Sequence, residues 1–256
     1  LLRYARNDIF WFIQHLLKNW LSGRILLLES TAQTITNDSQ PYSVERLIEQ
    51  KALANTFLYT YLGRSDGQFI SRPKDTIPEN YDPRSRPWYK DANSAGQSAL
   101  TEPYIDVSTN TLVITIATPA KNIGVVGGDL SLGVLTDTLN SLKIDGMGYA
   151  FLVSSDGKIL VHPDNNAVNK SIKELYPENT PVINSSFNEV SLNGSQQMLS
   201  FTPIEGLPSV KWYIGLAVDK ELAYAMLSQF RTSAVIATLV ALSIIVILLS
   251  MLIRIL

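Results

Sequence analysis

The sequence predicts an α+β fold in which a long N-terminal helix is followed by two tandem antiparallel-sheet modules and a C-terminal apolar helix. The first observation is an internal repeat: "YTYLGRSDGQFISRP" (Tyr59–Pro73) aligns without gaps with "YAFLVSSDGKILVHP" (Tyr149–Pro163). Each copy places a Ser-Asp-Gly turn between two apolar runs, which is typical of a β-hairpin. The second observation is that two further strand-like segments follow each hairpin, and the third is a long uncharged run near the C-terminus.

The N-terminal segment, residues 1–42, is predicted to form one long amphipathic helix. Within Asp8–Glu29, large apolar residues such as Phe12, Leu16 and Trp20 recur at helical spacing, and charged residues interrupt the apolar run. Those charges argue against a membrane span. We expect a first membrane helix upstream of this segment.

The first module takes residues 43–143. We expect it to open with a helix at Ser43–Leu58, with Ser43 as the N-cap, and to close with a short helix at Thr136–Lys143. The strands expected between these helices are the two arms of the first hairpin, Thr101–Val107, Leu112–Ala120 and Ile123–Leu132.

The second module takes residues 144–219 and consists of the second hairpin followed by strands at Gln196–Ile204 and Lys211–Asp219. The segment after its hairpin, Pro163–Glu189, reads as loop and turn sequence. It contains neither arginine nor tryptophan, whereas the corresponding part of the first module contains both.

The uncharged run spans Thr232–Ile253 and lies between Arg231 and Arg254. About 20 apolar residues are enough to cross the hydrocarbon core of a bilayer. We therefore predict a transmembrane helix at about 232–253, and we assign residues 220–256 to this helix and its juxtamembrane extension. We expect a cytoplasmic region to continue beyond it.

The composition narrows the classes of partner. With 21 basic and 23 acidic residues, the formal net charge is −2, which gives no reason to expect a nucleic-acid partner. The chain has no cysteine, which excludes disulfides and cysteine metal sites, and its two histidines, His15 and His162, are far apart in sequence. We expect neither a metal site nor a cofactor.

The most distinctive stretch is Tyr81–Ala92, "YDPRSRPWYKDA". Its prolines do not suit the middle of a strand or helix, and they stiffen the backbone. Arg86 offers a planar guanidinium that binds a carboxylate through two hydrogen bonds, and Trp88 adds an indole N–H donor. Arg84 and Asp82 are expected to pair with each other. The stretch is either a rigid corner of the fold or half of a binding site.

Aromatic and acidic residues farther along the chain offer the other half of such a site. Tyr104 and Asp106 stand two apart on the predicted strand Thr101–Val107, so they point to one face. Asp129 follows two glycines at the end of an apolar strand, where glycine allows a ligand to approach the backbone closely. Carboxylates with aromatic neighbours suit an ammonium group.

Taken in order, these elements resemble a double Cache domain, the extracytoplasmic sensor of bacterial chemoreceptors and of some histidine kinases and diguanylate cyclases. The resemblance covers nearly the whole chain, and its most specific part is "DPRSRPWY" (Asp82–Tyr89). It implies two PAS-like Cache modules, the first of them farther from the membrane. It also implies a location in the bacterial inner membrane, with the sensor in the periplasm.

The sequence is most similar to the branch of this family that binds amino acids. The pocket residues of that branch match this sequence at seven positions: Tyr81, Arg86, Trp88, Tyr89, Tyr104, Asp106 and Asp129. The resemblance implies that the first module binds an L-amino acid, or a close amine-carboxylate or sulfonate analogue, as the sensor of a methyl-accepting chemotaxis receptor with cytoplasmic signalling partners. The long N-terminal helix suits a parallel homodimer. We expect one ligand per chain and no matching site in the second module.

Three alternatives stay open from the sequence. The same sensor serves as the input of a histidine kinase or a diguanylate cyclase. A periplasmic enzyme would use Asp106 and Asp129 as an acid–base pair, but the sequence offers no set of nucleophile and base, so we assign no catalytic residue and expect no enzyme. The third alternative is a membrane accessory subunit without a signalling role.

Overall fold

The computed structural model describes residues 2–38, 40–140 and 148–255. It contains a long helix at each end of the chain and two antiparallel sheets between them. The helices are α1 (Leu2–Asn37), α2 (Pro41–Ile48), α3 (Lys51–Ala54), α4 (Pro87–Ala95), α5 (Leu132–Asn140), α6 (Ile172–Leu175) and α7 (Lys220–Ile255), with 3-10 turns at Pro83–Ser85 and Asn165–Ala167. The strands are β1 (Thr60–Arg64), β2 (Phe69–Arg72), β3 (Ala99–Leu100), β4 (Tyr104–Ile105), β5 (Leu112–Ala120), β6 (Gly124–Ser131), β7 (Gly148–Ser154), β8 (Ile159–Val161), β9 (Asn188–Leu192), β10 (Ser195–Pro203) and β11 (Trp212–Asp219).

The two sheets share one strand order, which confirms the predicted duplication and the α+β fold. The first sheet runs β2-β1-β6-β5-β3, with β4 also paired to β5, and the second runs β8-β7-β11-β10-β9. Strands β1, β6 and β5 of the first module therefore correspond to β7, β11 and β10 of the second. The two Ser-Asp-Gly segments form the predicted hairpin turns, and the glycine of each has a positive φ, 94° at Gly67 and 88° at Gly157.

The correspondence extends to single residues in the centre of each sheet. Tyr61 lies opposite Gly127, and at the equivalent place Phe151 lies opposite Gly215. A Cβ atom would lie 2.1 Å from the Tyr61 ring at Gly127 and 2.4 Å from the Phe151 ring at Gly215. Each ring therefore crosses its neighbouring strand through the space that glycine leaves open.

Helix α1 packs one face against the sheets, as expected of an amphipathic helix. Its buried side chains recur every three, four or seven residues: Phe10, Ile13, Leu17, Leu21, Leu28, Ala32 and Ile35. The apolar face predicted from Phe12, Leu16 and Trp20 differs from the buried face. Phe12 is 53% exposed, and Leu16 is only half-buried.

Two predicted helices have different bounds in the structure. The helix predicted to begin at Ser43 begins at Pro41, with Gln40 as the N-cap, and a break separates it from α3. Proline suits the first turn of a helix because it lacks an N–H group that would stay unpaired there. Helix α5 starts four residues earlier than predicted, and the predicted residues 141–143 lie outside the described residues.

The predicted strand Thr101–Val107 is wrong in its extent. Only β3 and β4, of two residues each, pair with β5 at this edge of the first sheet. Pro103 lies between them and has no N–H to donate to the ladder, so the strand cannot continue through it. The Thr101 hydroxyl bridges part of the gap by accepting a 2.9 Å hydrogen bond from the backbone N–H of Thr115.

Helix α7 continues from β11 without interruption, as predicted. Among the residues that the structure describes, no helix has both the length and the apolarity needed to cross a membrane. The predicted span of residues 232–253 includes Val246, Leu248 and residues 251–253, whose side chains lie outside the described ones, so the membrane helix stays a prediction. The predicted boundary between the modules, at residues 143 and 144, likewise falls outside the described residues.

Candidate ligand-binding site

A cavity opens on the first sheet between the β1–β2 hairpin, β4 and the N-terminal end of α4. Its empty space, with the open mouth included, is about 340 Å³. We call it the first-module cavity. It is lined by Tyr59, Tyr61, Phe69, Asp75, Ile77, Tyr81, Arg86, Trp88, Tyr104, Asp106, Val107, Ser108 and Asp129. Six of the seven predicted site residues are thus brought together, and Tyr89 is the exception.

Asp129 forms the floor of the cavity and is 3% exposed. It lies on β6 opposite Thr115 of β5. Its Oδ1 atom accepts a 2.5 Å hydrogen bond from the Thr115 hydroxyl and a 2.6 Å hydrogen bond from the Tyr61 hydroxyl. No donor among the described residues bonds to the second oxygen, Oδ2. One oxygen is therefore held by the protein, and the other is left for a ligand.

Burial raises the pKa of Asp129 from its ordinary value of 3.8 to about 7. The hydrogen bonds from Thr115 and Tyr61 lower the pKa, and the negative charges of Asp106 and Asp75 raise it. The carboxylate is therefore costly to ionise in the absence of a cation. A ligand with a positive group would relieve that cost directly.

The two glycines before Asp129 have a different role from the predicted one. Instead of admitting a ligand, they make room for aromatic rings of the protein. A Cβ atom at Gly127 would lie 2.1 Å from the Tyr61 ring, and one at Gly128 would lie 2.6 Å from the Phe57 ring. The missing Cβ at Gly127 thus allows Tyr61 to reach across β6 to the carboxylate.

Arg86 supplies a positive charge to the same cavity. It is the N-cap residue of α4, and its guanidinium carbon lies 5.7 Å from the centre of the Tyr104 ring. Its Nη2 atom makes one long contact, 3.5 Å, with the carbonyl oxygen of Ile105. Among the described residues, no carboxylate lies within 4.0 Å of this guanidinium. Its paired N–H groups are therefore open to an anionic ligand.

Two tyrosines complete this end of the cavity. The Tyr104 hydroxyl lies 2.7 Å from the Thr115 hydroxyl, so it belongs to the network that ends at Asp129. Tyr81 packs against Phe69, with ring centres 4.9 Å apart. Burial raises the pKa of Tyr81 to about 12, whereas the charge of Arg86 lowers it. Both tyrosines therefore remain protonated near neutral pH and present aromatic surface and hydroxyl groups.

Asp106 lines the cavity but is largely engaged by its own loop. Its Oδ2 atom accepts hydrogen bonds from the Ser108 hydroxyl at 2.7 Å and from the backbone N–H and hydroxyl of Thr109, both at 2.8 Å. Burial alone would raise the pKa of Asp106, but these hydrogen bonds outweigh it and lower the pKa. This carboxylate is therefore ionised and oriented before any ligand binds.

The adjacent aromatic residues of α4 face different surroundings. Trp88 lines the first-module cavity, is 1% exposed and packs against Tyr61, with ring centres 4.8 Å apart. Tyr89 lines a separate open groove on the other side of α4, together with Glu29 and Asn93. The two rings pack against each other with centres 5.6 Å apart, but only Trp88 lines the first-module cavity. Ligand contact by Tyr89 stays a prediction for which the cavity gives no support.

The pairing predicted within the proline-rich stretch is confirmed. Arg84 bonds to Asp82 through its Nε and Nη2 atoms at 2.9 Å, and Asp82 also accepts from the Arg84 backbone N–H at 2.9 Å. This pair fixes the 3-10 turn outside the cavity. The stretch therefore has two roles. Arg84 stabilises a rigid corner of the fold, and Arg86 forms part of the cavity wall.

Sequence reasoning missed several residues that line the cavity or bond to its lining residues. Tyr61 and Thr115 are the most consequential, because they bond to Asp129. Both lie on apolar strands of the predicted sheet. They could be identified only from the strand register, which shows that they lie near Asp129. Asp75 and Ile77 lie in the loop after β2, where the sequence has no distinctive pattern.

The equivalent position in the second module is apolar. Strand register places Phe151 where Tyr61 stands, Leu199 where Thr115 stands and Ala217 where Asp129 stands. All three second-module residues are fully buried, at 0% exposure. The polar triad of the first module is thus replaced by core side chains.

The first-module cavity therefore combines an unpaired guanidinium, a buried carboxylate with a free oxygen, and aromatic walls. This arrangement can bind a small molecule that carries a carboxylate and an ammonium group. Among the described residues there is no group of three or more His, Cys, Asp and Glu side chains that could hold a metal ion.

The chain is similar to curated chemotaxis proteins of bacteria. The methyl-accepting chemotaxis protein PctB of Pseudomonas aeruginosa is 55% identical over 243 residues, which cover 93% of this chain and 39% of that protein. The methyl-accepting chemotaxis protein McpG of Pseudomonas putida is 53% identical over 223 residues, covering 87% and 35%. The chain thus spans less than two fifths of the length of these relatives.

Solved ligand-binding domains of such receptors have the same fold. The domain of PctB in complex with L-arginine matches with a TM-score of 0.84 and 51% identity, covering 88% of this chain and 97% of that one. The domain of the Pseudomonas fluorescens chemoreceptor CtaA in complex with L-serine matches with a TM-score of 0.82 and 53% identity, covering 86% and 98%. A family model described as a Cache domain matches residues 12–227. The chain belongs to the Cache domain family.

Proposed function

We propose that this chain is the extracytoplasmic sensor of a chemoreceptor and that its first module binds a free L-amino acid. The observation that carries the proposal is the pair of unsatisfied, opposite charges in one cavity. The Arg86 guanidinium has no carboxylate partner among the described residues, and the Oδ2 atom of the buried Asp129 has no donor. Burial makes the unpaired charge of Asp129 unfavourable, and Arg86 offers open N–H groups, so a zwitterion that satisfies both gains more than a ligand that satisfies one.

The ligand carboxylate is placed at Arg86, where the guanidinium forms two parallel hydrogen bonds with it. Its ammonium group is placed at Asp129, with Asp106 close enough to raise the pKa of Asp129 through its charge. The rings of Tyr81 and Tyr104 wall the bound molecule. Each of these residues was also implied by the sequence resemblance.

The relatives support this ligand class. Solved domains at 51–53% identity are described in complex with L-arginine, L-glutamine, L-serine and L-alanine. These ligands share the α-carboxylate and α-ammonium groups and differ in their side chains. The common part of the ligand thus corresponds to the part of the cavity that Arg86 and Asp129 form.

The receptor role rests on the curated relatives, which are methyl-accepting chemotaxis proteins. A membrane location is supported by the uncharged run Thr232–Ile253 and by exposed apolar side chains of α7 such as Val235 and Ile244, at 54% and 52%. A bilayer would cover such a surface. Trp11 and Phe12, exposed on α1, would be covered in a homodimer.

A binding role suits this cavity better than catalysis. The relatives are described as chemotaxis proteins and as ligand-binding domains of chemoreceptors, which supports binding rather than catalysis. A periplasmic enzyme is therefore the weaker reading.

The test is a thermal-shift and calorimetric screen of the 256-residue chain in lipid nanodiscs. L-Alanine should raise the melting temperature, because a ligand at about 100 times its Kd adds roughly 2.7 kcal/mol to the free energy of unfolding. Propionate, which lacks the ammonium group, and ethylamine, which lacks the carboxylate, should shift it much less. Stabilisation by sugars or dicarboxylates, with none by any amino acid, would contradict the proposal.

A further inference from the structure

We infer that Asp75 selects for amino acids with a cationic side chain, an inference that rests on the proposed amino-acid site. The position of Asp75 on the cavity wall carries the inference. It lies in the loop between β2 and the 3-10 turn, lines the first-module cavity beside Tyr59 and Ile77, and is half-buried. We call these three residues the side-chain end of the cavity.

The Asp75 carboxylate has no partner of its own. The backbone N–H of Asp75 donates a 3.2 Å hydrogen bond to the Ser71 hydroxyl, which fixes the loop. The side chain makes neither a hydrogen bond nor an ion pair with any described residue. In this respect Asp75 differs from Asp106, whose Oδ2 atom accepts from Ser108 and Thr109.

Asp75 lines the same cavity as Arg86 and Asp129. Burial raises the pKa of Tyr59, and the charge of Asp75 raises it further; the same charge also raises the pKa of Asp129. Within the proposed site, a ligand held by Arg86 and Asp129 extends its side chain along this wall toward Asp75.

The charges on the cavity wall do not balance after a neutral zwitterion binds. The wall carries three carboxylates, Asp75, Asp106 and Asp129, and one guanidinium, Arg86. The ligand carboxylate pairs with Arg86 and the ligand ammonium with Asp129, which leaves Asp75 and Asp106 without a counter-charge. Asp106 accepts hydrogen bonds from its own loop, whereas the Asp75 carboxylate accepts none from the described residues. A cationic group on the ligand side chain would match it, and an anionic one would be repelled.

The experiment compares L-arginine with L-citrulline, which has nearly the same shape and an uncharged urea group, by titration calorimetry on the full chain in lipid nanodiscs. The parent should bind L-arginine about fivefold or more tightly, which corresponds to about 1 kcal/mol for a half-exposed pair. Asp75→Asn should abolish most of this preference. The matched control is Glu79→Gln, an exposed carboxylate of the same loop that does not line the cavity, and it should keep the preference.

A second readout uses the parent alone and does not depend on how the variant folds. The ratio of the L-arginine and L-citrulline affinities should fall as the salt concentration rises, because salt screens a charge pair near the surface. Equal affinities for the two ligands in the parent, a ratio insensitive to salt, or a preference retained in Asp75→Asn would overturn the role of Asp75. If L-alanine binds and the preference is absent, this inference alone fails; if none of the three amino acids binds, the proposed function fails with it.

Discussion

The Tyr61 hydroxyl donates a 2.6 Å hydrogen bond to Oδ1 of Asp129, so the first hairpin orients the carboxylate at the floor of the cavity. The two residues lie on neighbouring strands, β1 and β6, and the space left by Gly127 allows the ring to cross between them. Because Thr115 bonds to the same oxygen, the other oxygen stays open. The site is thus oriented before the ligand arrives, which lowers the ordering cost of binding.

Affinity for a zwitterionic amino acid should rise with pH between 6 and 8. The pKa of Asp129 is about 7 in the ligand-free chain, and only the ionised form offers a charge to the ligand ammonium. The ionised fraction of such a group increases about tenfold over this interval, so the Kd of L-alanine should fall by about tenfold. Calorimetric titrations at the two pH values measure this, and a pH-independent affinity would count against Asp129 as the ammonium partner.

Asp129→Asn should weaken binding of L-alanine at pH 8 by roughly 30-fold or more. The ligand ammonium would then be buried without its anionic partner, and such a loss typically costs about 2–5 kcal/mol, where about 1.4 kcal/mol is tenfold. The remaining affinity should no longer vary between pH 6 and 8. The control is Asp156→Ala, at the turn of the second hairpin, which should leave the affinity unchanged.

The same carboxyl should make the ligand-free fold less stable as pH rises. Burial raises its folded pKa to about 7, above its ordinary value of 3.8. Its stabilising contribution is therefore complete below pH 3.8 and is lost as pH rises through 7, with a slope of at most about 1.4 kcal/mol per pH unit. The melting temperature of Asp129→Asn minus that of the parent should increase from pH 5 to pH 8. A constant difference would show that the folded pKa is not raised.

Tyr61→Phe should shift the pH dependence of binding rather than abolish binding. The ring still fills the space over Gly127, but the hydrogen bond that lowers the pKa of Asp129 is gone. A hydrogen bond to a charged group contributes about 1.5 kcal/mol or more, which is about one pKa unit. The pKa of Asp129 should therefore rise by about one unit or more, and the L-alanine affinity at pH 7 should fall by about fivefold or more with the ionised fraction. Part of the loss should be recovered at pH 8.5. Tyr213→Phe, on β11 of the second module, is the matched control and should follow the parental curve.

The fold was largely predictable because its signals are local. Turn residues and apolar runs located the hairpins, and the longer strands were placed within one residue at each end. The errors concern the bounds of elements that a single residue determines. Pro41 sets the start of α2, and Pro103 divides the edge strand into β3 and β4.

The site was harder to predict, since it depends on which strands are neighbours. Tyr61 and Thr115 reach Asp129 only through the pairing of β1 and β5 with β6. Asp106 points to the cavity as expected, but its bonding to Ser108 and Thr109 depends on a loop that periodicity does not predict. The two roles within the proline-rich stretch were predictable from the sequence: Arg84 pairs with Asp82, and Arg86 lines the cavity.

Substitutions of Arg86 and Arg84 provide a test and its control for the proposed binding of the ligand carboxylate. They are two residues apart, but Arg86 lines the cavity and Arg84 is paired with Asp82 outside it. Arg86→Ala should weaken L-alanine binding by roughly 30-fold or more. Arg86→Lys should also bind poorly, because an ammonium cannot form the two parallel hydrogen bonds.

Arg84→Ala should retain affinity within about threefold, because the Arg84–Asp82 pair is exposed and such pairs contribute little. Melting curves without ligand establish that each arginine variant is folded. If Arg86→Ala is folded and binds at the parental affinity, the proline-rich stretch is only a structural corner and the proposed ligand orientation is wrong.

The second module should bind no amino acid and should tolerate no carboxylate at the place equivalent to Asp129. Titration of the parent should give one ligand per chain.

Ala217→Asp would bury a carboxylate beside Phe151 and Leu199, which offer no side-chain donor, and a buried unpaired charge typically costs about 3–5 kcal/mol. For a chain of this size, about 1 kcal/mol corresponds to roughly 2–4 °C, so the melting temperature should fall by about 6–20 °C at pH 8. Ala217→Asn adds nearly the same volume without charge and separates the effect of overpacking. The loss in Ala217→Asp should shrink toward that of Ala217→Asn at pH 5, because the carboxyl becomes protonated; an equal loss in both variants at pH 8 would mean that size and polarity, and not charge, keep this position apolar.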